Sequence, residues 1–479
     1  MRKSLPEMRP LPVSRRRPEN GAATAEPRSA IKFHKVAPHP GEPDIFIQLR
    51  GGRIEQFYQN WLKPNPLTRK LVIAIWRNFY PAYARTIAIL RSRIARRWRP
   101  IVKMTDYVDG SNIPTINVLD AATVDTPPPK MVPAEDQIYL ASPHNHYEFP
   151  PIYVAQLSDA QVYGGTNLIF MQDAVICHDL YDFVCDYTSE ELHGRHVIDA
   201  KKMRMRLIVN DFAPMQIPIA AAFLDACAPN YAHWLTEVLP RISVLCSQKD
   251  FNSVPLIINS GLHKNLLESL SAVIGDERDV YLLPIGRAIE VDTLYVVSSC
   301  GYVPFDFRNK VSTPPAQGLF CPTVLTMMSQ TVSTGLQRSA NWSQKIYLRR
   351  NSVGKIATNL PAVEKLLLDE GFVFVEPEKL NFAEQVMLFK NAKLIVGSSG
   401  AALANLIFCP VDARVVILIG KSARVSYWYW QNLAKAVNRS ICYVLGEVPD
   451  VDKTNNQPNF TVPLDALMRA VSEEGCQNS

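Results

Sequence analysis

Between residues 230 and 241 the sequence NYAHWLTEVLPR gathers Asn230, His233, Trp234, Glu237 and Arg241 among Leu and Val. At ~100° per residue these five side chains share one helical arc of roughly 100°, and Leu235, Val238, Leu239, Ile242 and Leu245 occupy the adjacent arc. His233 and Glu237 stand at i and i+4, close enough to interact. A carboxylate beside an imidazole raises its pKa and orients the ring, which is what a general base requires. The same pair would also serve as a plain structural contact at a domain interface. Pro240 removes a helical N–H, so the helix is expected to end or kink near residues 236–238.

A second group lies further along, at the ends of apolar runs that read as strands. In order these ends carry Arg349 and Arg350, then Glu376, then Gly397-Ser398-Ser399-Gly400, then Gly420-Lys421-Ser422. Ligands of an open parallel sheet collect outside the carboxyl ends of its strands. Two Arg can fork onto phosphate oxygens. The GSSG loop enters a helix whose first N–H groups favour an anion, and Ser398 or Ser399 can donate a hydrogen bond. The set describes a diphosphate site, with Glu376 placed to hold a ribose. Glu384 and Gln385 open the helix FAEQVMLFKNA; there an acidic residue either stabilises the first turn or reaches a donor nucleotide. The loop has no Walker lysine and no GxGxxG, which argues against a P-loop and an NAD fold.

Regular elements must position these residues. From Lys345 to Gly446 the chain reads KIYLR, NLPAVEKLLLDEG, FVFVE, NFAEQVMLFKNA, KLIV, AALANLIF, ARVVILIG, YWYWQNLAKAV and ICYVLG, strands and helices in strict alternation. That order predicts a Rossmann-like parallel sheet. The preceding half is less regular. IYLA, YVAQL, TNLIF, AVICHDLY and MRMRLIV read as strands or half-buried ribbons. A strand at VPLIINS, a helix over 264–274, a strand over 280–283 and a strand at EVDTLYVVSS then imply a second parallel, two-sided sheet.

Composition limits the remainder. The chain has 479 residues, 47% of them hydrophobic, enough for a large core and more than one domain. Residues 1–45 are rich in Pro, Arg and small residues and read as a disordered tail. Residues 46–135 form a basic helical region and linker, 136–312 a first Rossmann-like domain and 313–479 a second. No apolar stretch follows Arg2 and Lys3, so no secretory signal is expected. Nine cysteines without CxxC spacing read as reduced thiols, which suits a cytoplasmic protein.

Leu71 to Leu90 is the most apolar segment, but Arg77, Arg85 and Pro81 argue against a membrane span. Residues 66–99 hold nine Lys/Arg and no Asp or Glu, interleaved with aromatics. Such a segment fits either an anionic membrane surface or a solvated basic face packed on the protein. No Cys/His cluster has metal-ligand spacing, so no metal or other cofactor is expected. Asp450 and Asp452 form a DxD in a Pro/Asn-rich loop, read as incidental, and His144 and His146 as ordinary loop histidines. No nucleic-acid partner is expected.

The two groups together resemble a known family. NYAHWLTEVLPRISVL, followed by KIYLRRNSVGKIATNLPAVEKLLLDEGFVFVEPEKLNFAEQVMLFKNAKLIVGSSGAALANLIFCP, is similar to glycosyltransferase family 61, whose bacterial members are commonly labelled capsular polysaccharide biosynthesis proteins. The resemblance implies two Rossmann-like domains facing a cleft (GT-B) and an inverting, metal-independent transfer. The donor would be a nucleotide-sugar, and the acceptor a glycan or glycolipid of a surface polysaccharide. By the same resemblance Asn230, His233, Trp234, Glu237 and Arg241 line the acceptor side. Arg349, Arg350, Glu384, Gln385, Gly397, Gly400 and Asn405 fall on the donor side. Ser399 stands where many members have His, and Asn359-Leu360 where many have Asn-Glu. His233 or Glu237 would take the acceptor proton. A non-catalytic nucleotide- or glycan-binding scaffold would keep the same fold without turnover.

Overall fold

The computed structural model describes residues 31–36, 98–139, 146–192, 196–207, 214–275, 278–304, 306–308, 318–334, 336, 342–351, 354–421, 427–449 and 458–472. The architecture is mixed α/β, with two large sheets. The second sheet is the simpler. Its strands run in the order Val373–Val375, Lys345–Leu348, Leu394–Ser398, Arg414–Gly420, Ser440–Gly446 and Lys130–Val132, all parallel. Val415, Val416, Ile417 and Leu418 are all buried, as continuous apolar runs must be when helices cover both faces. Counting along the chain from Lys345, the first five strands take the order 2-1-3-4-5. The direction of travel reverses between the first strand and the third.

The first sheet has twelve strands among the described residues. Its parallel portion runs Lys32–Lys35, Asp279–Leu283, Leu256–Asn259, Met215–Phe223 and Ala288–Val297. Numbered from Met215–Phe223, the last four take the order 3-2-1-4, so this sheet too reverses, between its first and fourth strands. The helices Leu239–Ser247 and Lys264–Ile274 provide the crossovers. Beyond Ala288–Val297 the sheet departs from expectation. Ile152–Tyr163 pairs with that strand antiparallel, and mostly antiparallel ribbons continue to His196–Asp199. The sheet is therefore mixed rather than purely parallel. Short hairpins replace helical crossovers here, and hairpins join antiparallel neighbours.

Several local expectations are corrected. Residues 31–36, inside the segment read as tail, include the strand Lys32–Lys35, which pairs in parallel with Asp279–Leu283. Ile138 and Tyr139, which open IYLA, end the 3-10 helix Ala134–Tyr139 and are not in a strand. AALANLIF is helical but also 3-10, over Ala401–Phe408. Residues 130–132, placed in the linker, complete the second sheet. The rest of the tail, most of the basic segment 66–99, His144, Ser422, Cys476 and the DxD at 450–452 lie outside the described residues. Among the described residues no helix is long and apolar enough to cross a membrane, and no cluster of three His, Cys, Asp or Glu could hold a metal ion.

The two halves share one core. A single apolar cluster runs from Leu256 and Ile258 of the first sheet through Trp234, Ile242, Leu270 and Leu325 to Ile346, Ile395 and Ile417 of the second. Helices of one half pack directly on helices of the other, Lys264–Ile274 against Phe382–Asn391 among them.

Candidate functional site

The helix bearing His233 begins where Asn230 Oδ1 accepts the Ala232 N–H at 3.0 Å, a standard N-cap. It does not stop at Pro240. Residues Trp234–Val238 widen into a π turn, with the Leu239 N–H reaching back to the Trp234 carbonyl, and α-helix resumes over Leu239–Ser247. The wide turn absorbs the donor and ring clash that a proline brings, and π turns recur at functional sites. It also meets the backbone of the strand Gly301–Tyr302: a Cβ on Gly301 would lie 2.2 Å from the Thr236 carbonyl oxygen.

Across this turn His233 Nδ1 lies 2.5 Å from Glu237 Oε1, and Glu237 Oε2 accepts the Val303 N–H at 3.2 Å. Both carboxylate oxygens are thereby engaged, so Nε2 of the imidazole is the atom left to meet a substrate. Burial opposes charge on the ring, but the Glu237 carboxylate, its hydrogen bond and nearby Asp225 outweigh it and hold His233 above the ordinary imidazole value. Burial pushes the Glu237 carboxyl up; His233 opposes that rise and Asp225 adds to it. Arg241 donates from Nε to the Glu237 carbonyl at 3.0 Å, which ties the end of the turn to the next one.

Two small adjoining cavities, of about 40 and 50 Å³, open beside this pair. Both are lined by Glu237 and also by Asp225 and His178, which the sequence reading missed. Asp225 follows the strand Met215–Phe223. Its Oδ1 accepts the Cys227 N–H at 2.7 Å and its Oδ2 accepts the Asn167 amide at 3.1 Å. His178 follows the strand Val175–Cys177. Desolvation, with Arg241 and Lys103 nearby, pushes its imidazole down to about 3, so the ring is neutral.

On the second sheet, Arg350 donates from Nη1 to the Ser399 carbonyl at 3.2 Å and from Nε to the Gly354 carbonyl at 2.9 Å. A Cβ on Gly400 would fall 2.2 Å from that Nη1, so glycine is what lets the guanidinium lie against the loop. Lys355 stands beside Arg350 in left-handed backbone, φ 53°. Burial and the Arg350 charge push its ammonium down to about 8, and burial alone lowers Arg350. Neither cation forms an ion pair with a carboxylate among the described residues. These groups lie where the order of the second sheet reverses, between the ends of Lys345–Leu348 and Leu394–Ser398. Such a switch point is where open α/β sheets bind ligands.

The family model described as Glycosyltransferase 61 matches residues 231–416. The chain carries a glycosyltransferase 61 domain. That domain supports a glycosyltransferase, an enzyme with a sugar donor and an acceptor substrate. No curated protein matches the chain. The glycosyltransferase 61 match begins on the His233 helix and, counting strands from Lys345, covers three strands of the second sheet and the start of the fourth, so it joins both groups of residues singled out in the sequence.

Within and beside the glycosyltransferase 61 domain the expected residues divide. His233, Glu237 and Arg241 come together, as do Arg350, Ser399 and Gly400. Others are engaged elsewhere. Trp234 is fully buried with Nε1 donating to Ser269 at 2.8 Å, so it packs the core instead of lining a cleft. It stood at the edge of the polar arc, and its ring is too apolar to stay there. Arg349 forks onto Glu364 at 2.8 and 2.9 Å. Glu376 pairs with Lys379 at 2.7 Å and accepts from Asn351. Glu384 closes a capping box with Asn381, the structural one of its two readings.

Gln385 and Asn405 are buried and joined at 2.9 Å. Ser399 accepts the Trp430 indole N–H at 3.0 Å, while Ser398 is half-buried. Gly397 packs its backbone on Leu348. Lys421 is held by Asp136 and Glu447, and His146 pairs with Asp125 at the surface. Lys355, Asp225 and His178 carried no motif. Each is a single polar residue whose burial is set by folding, and for Asp225 and His178 the polar neighbours come from distant segments.

Proposed function

We propose that the protein is an inverting glycosyltransferase that moves a sugar from a nucleotide-sugar to a hydroxyl of a glycan or glycolipid, in the making of a surface polysaccharide. It would work in the cytoplasm, peripheral to the inner face of the membrane, with two Rossmann-like units in a GT-B arrangement. The observation that carries this reading is the pair Arg350 and Lys355, two partly buried cations side by side without a carboxylate partner among the described residues. Placing like charges together away from water costs stability unless an anion joins them. The diphosphate of a nucleotide-sugar supplies that anion in the ground state, and supplies more of it as the bond to the sugar breaks.

The chemistry is a single in-line displacement at the anomeric carbon. His233 Nε2 takes the acceptor hydroxyl proton while Glu237 holds the ring through Nδ1. The new bond forms from the acceptor oxygen to the anomeric carbon as the bond to the diphosphate oxygen breaks. Arg350 and Lys355 hold the departing nucleoside diphosphate.

A thermal-shift screen of the full chain with nucleotide-sugars, followed by hydrolysis and transfer assays on the best binder, tests the proposal. Stabilisation by one class of nucleotide-sugar and release of its nucleoside diphosphate are expected. Binding without turnover would leave a scaffold, and no stabilisation by any nucleotide would overturn the proposal.

A further inference from the structure

The first sheet reverses its strand order between Met215–Phe223 and Ala288–Val297. The cavities beside Glu237 lie at this reversal, because Asp225 follows the first of those strands and Ser298 and Ser299 follow the other, and all three line one cavity. A switch point is the expected place for a ligand in such a sheet. The second sheet already uses its own switch point for Arg350, which leaves this one without an assigned occupant.

The walls indicate what would fit. Asn167, His178, Asp225, Glu237 and Tyr302 line both cavities, and His233 lines the second. The charges are mixed. An anion would face Asp225 and Glu237 in both cavities and Glu190 in the second; a cation would face Arg241 in the first and the His233 ring, held above its ordinary value, in the second. A neutral ligand meets neither penalty. The His178 ring makes no hydrogen bond to a described residue, and its Nδ1 is sealed in protein, which leaves Nε2 as the ring nitrogen for a ligand hydroxyl to meet. A neutral imidazole offers one donor and one acceptor, and a hydroxyl is both. Each Asp225 oxygen accepts one hydrogen bond and has capacity for another. Tyr302 is anchored through its own hydroxyl to Asp186 at 2.7 Å, which leaves its ring as an apolar wall. Carboxylate, imidazole, amide and an aromatic face together are what a ring bearing several hydroxyls requires.

We infer that the cavity between Asp225, His178 and Tyr302 is the acceptor subsite, and that it takes the hydroxylated edge of a neutral sugar beside His233. The inference rests on the glycosyltransferase reading and names the acceptor side of that site. Asp225 and His178 are its binding residues, and neither belongs to the stretch matched by the family model.

The test uses the full chain and a panel of methyl glycosides of glucose, galactose, mannose, xylose and N-acetylglucosamine. Binding is read by saturation-transfer-difference NMR and titrated by chemical shift. At least one glycoside is expected to bind, with Asp225→Asn and His178→Leu each weakening it about tenfold or more, an energy of about 1.4 kcal/mol. His178→Gln, which restores an amide able to pair with a hydroxyl, is expected to recover part of the loss, and melting curves confirm that each variant is folded.

No binding by any glycoside, or binding untouched by the folded cavity variants, overturns the inference and leaves the cavity to solvent. Titration of UDP and GDP in parallel separates the two sites. Glycoside binding lost in the variants while the wild type takes no nucleotide would sink the donor reading and keep the subsite. Nucleotide binding without glycoside binding would do the reverse.

Discussion

Tyr231 donates its hydroxyl hydrogen to Asn405 Oδ1 at 2.7 Å, joining residues 174 positions apart. Tyr231 opens the helix that carries His233, and Asn405 lies in the 3-10 helix that follows the Ser398–Gly400 loop. Asn405 passes the link on to Gln385 at 2.9 Å. One chain of hydrogen bonds thus fixes the His233-bearing helix against the 3-10 helix that follows the Ser398–Gly400 loop and against the helix Phe382–Asn391. Asn405→Leu strands the Tyr231 hydroxyl and the Gln385 carbonyl in apolar surroundings. At ~1–3 kcal/mol for each buried group left unpaired, a loss of about 2–6 kcal/mol is expected in urea denaturation. Equal midpoints for variant and wild type would show that the link does not hold the halves.

His233→Ala is expected to remove transfer while nucleotide binding stays measurable. Glu237→Gln keeps the shape but loses the charge that holds the imidazole, and a fall in kcat of about 10²-fold or more is expected. Full turnover by either variant would refute the base assignment.

The pH dependence follows from the raised His233 value. A base works when deprotonated, so kcat/KM should climb through a pKa above the ordinary ~6.5 of imidazole. Glu237→Gln should move that limb to lower pH. Stability has the opposite slope. The folded state binds the His233 proton more tightly than the unfolded state, so this contribution is complete below ~6.5 and is lost as pH rises through the folded pKa. An acid limb that stays in place in the variant would contradict the pairing.

Arg350→Ala and Lys355→Met should each weaken nucleoside diphosphate binding by about tenfold or more, read by calorimetry. For the wild type, affinity should decline as pH passes about 8, where Lys355 loses its proton. Without nucleotide the sign reverses. The Lys355 value is depressed from 10.5 to about 8, so the unfolded chain holds that proton more tightly, and this residue's contribution to stability grows between those two pH values. A flat affinity from pH 7 to 9 would remove Lys355 from the site.

Two glycine substitutions should separate packing from binding. Gly301→Ala sets a methyl against the Thr236 backbone carbonyl, which cannot swing away, so a lower melting temperature is expected. Gly400→Ala meets only the end of the Arg350 side chain, so it should displace the guanidinium and weaken nucleotide binding with little change in melting. Matching effects of the two on melting would show that the Arg350 position is as rigid as backbone.

Sequence pattern was most informative where burial is two-sided. The runs at Ile346, Val415 and Ile441 are apolar on both faces, and their alternation with amphipathic helices specifies a parallel sheet. The His233–Glu237 pair was legible for a similar reason, since one helix sets both residues. Legibility failed where distant segments decide the outcome. Lys130–Val132 is too short to signal a strand, and its place depends on pairing with Cys442–Val444. Trp234 sat on the boundary of two arcs, and packing settled its side. His178 owes its lowered value to burial and to Arg241 and Lys103, and Lys355 owes its own to burial more than to Arg350 five residues before it; no spacing within the chain records such burial.

The edge strand Lys130–Val132 bears on how the molecule is made. It leaves the ribosome roughly three hundred residues before the strand it pairs with. Until Ser440–Gly446 arrives, Met131 and Val132 have no sheet to join, and the first half matures around a segment still waiting for its place. Pairings this distant in sequence are slow to form and expose apolar edges meanwhile. Deleting residues 130–132 from the full chain, which leaves the core shared by the two halves in place, would bare the flank of Ser440–Gly446 and favour self-association.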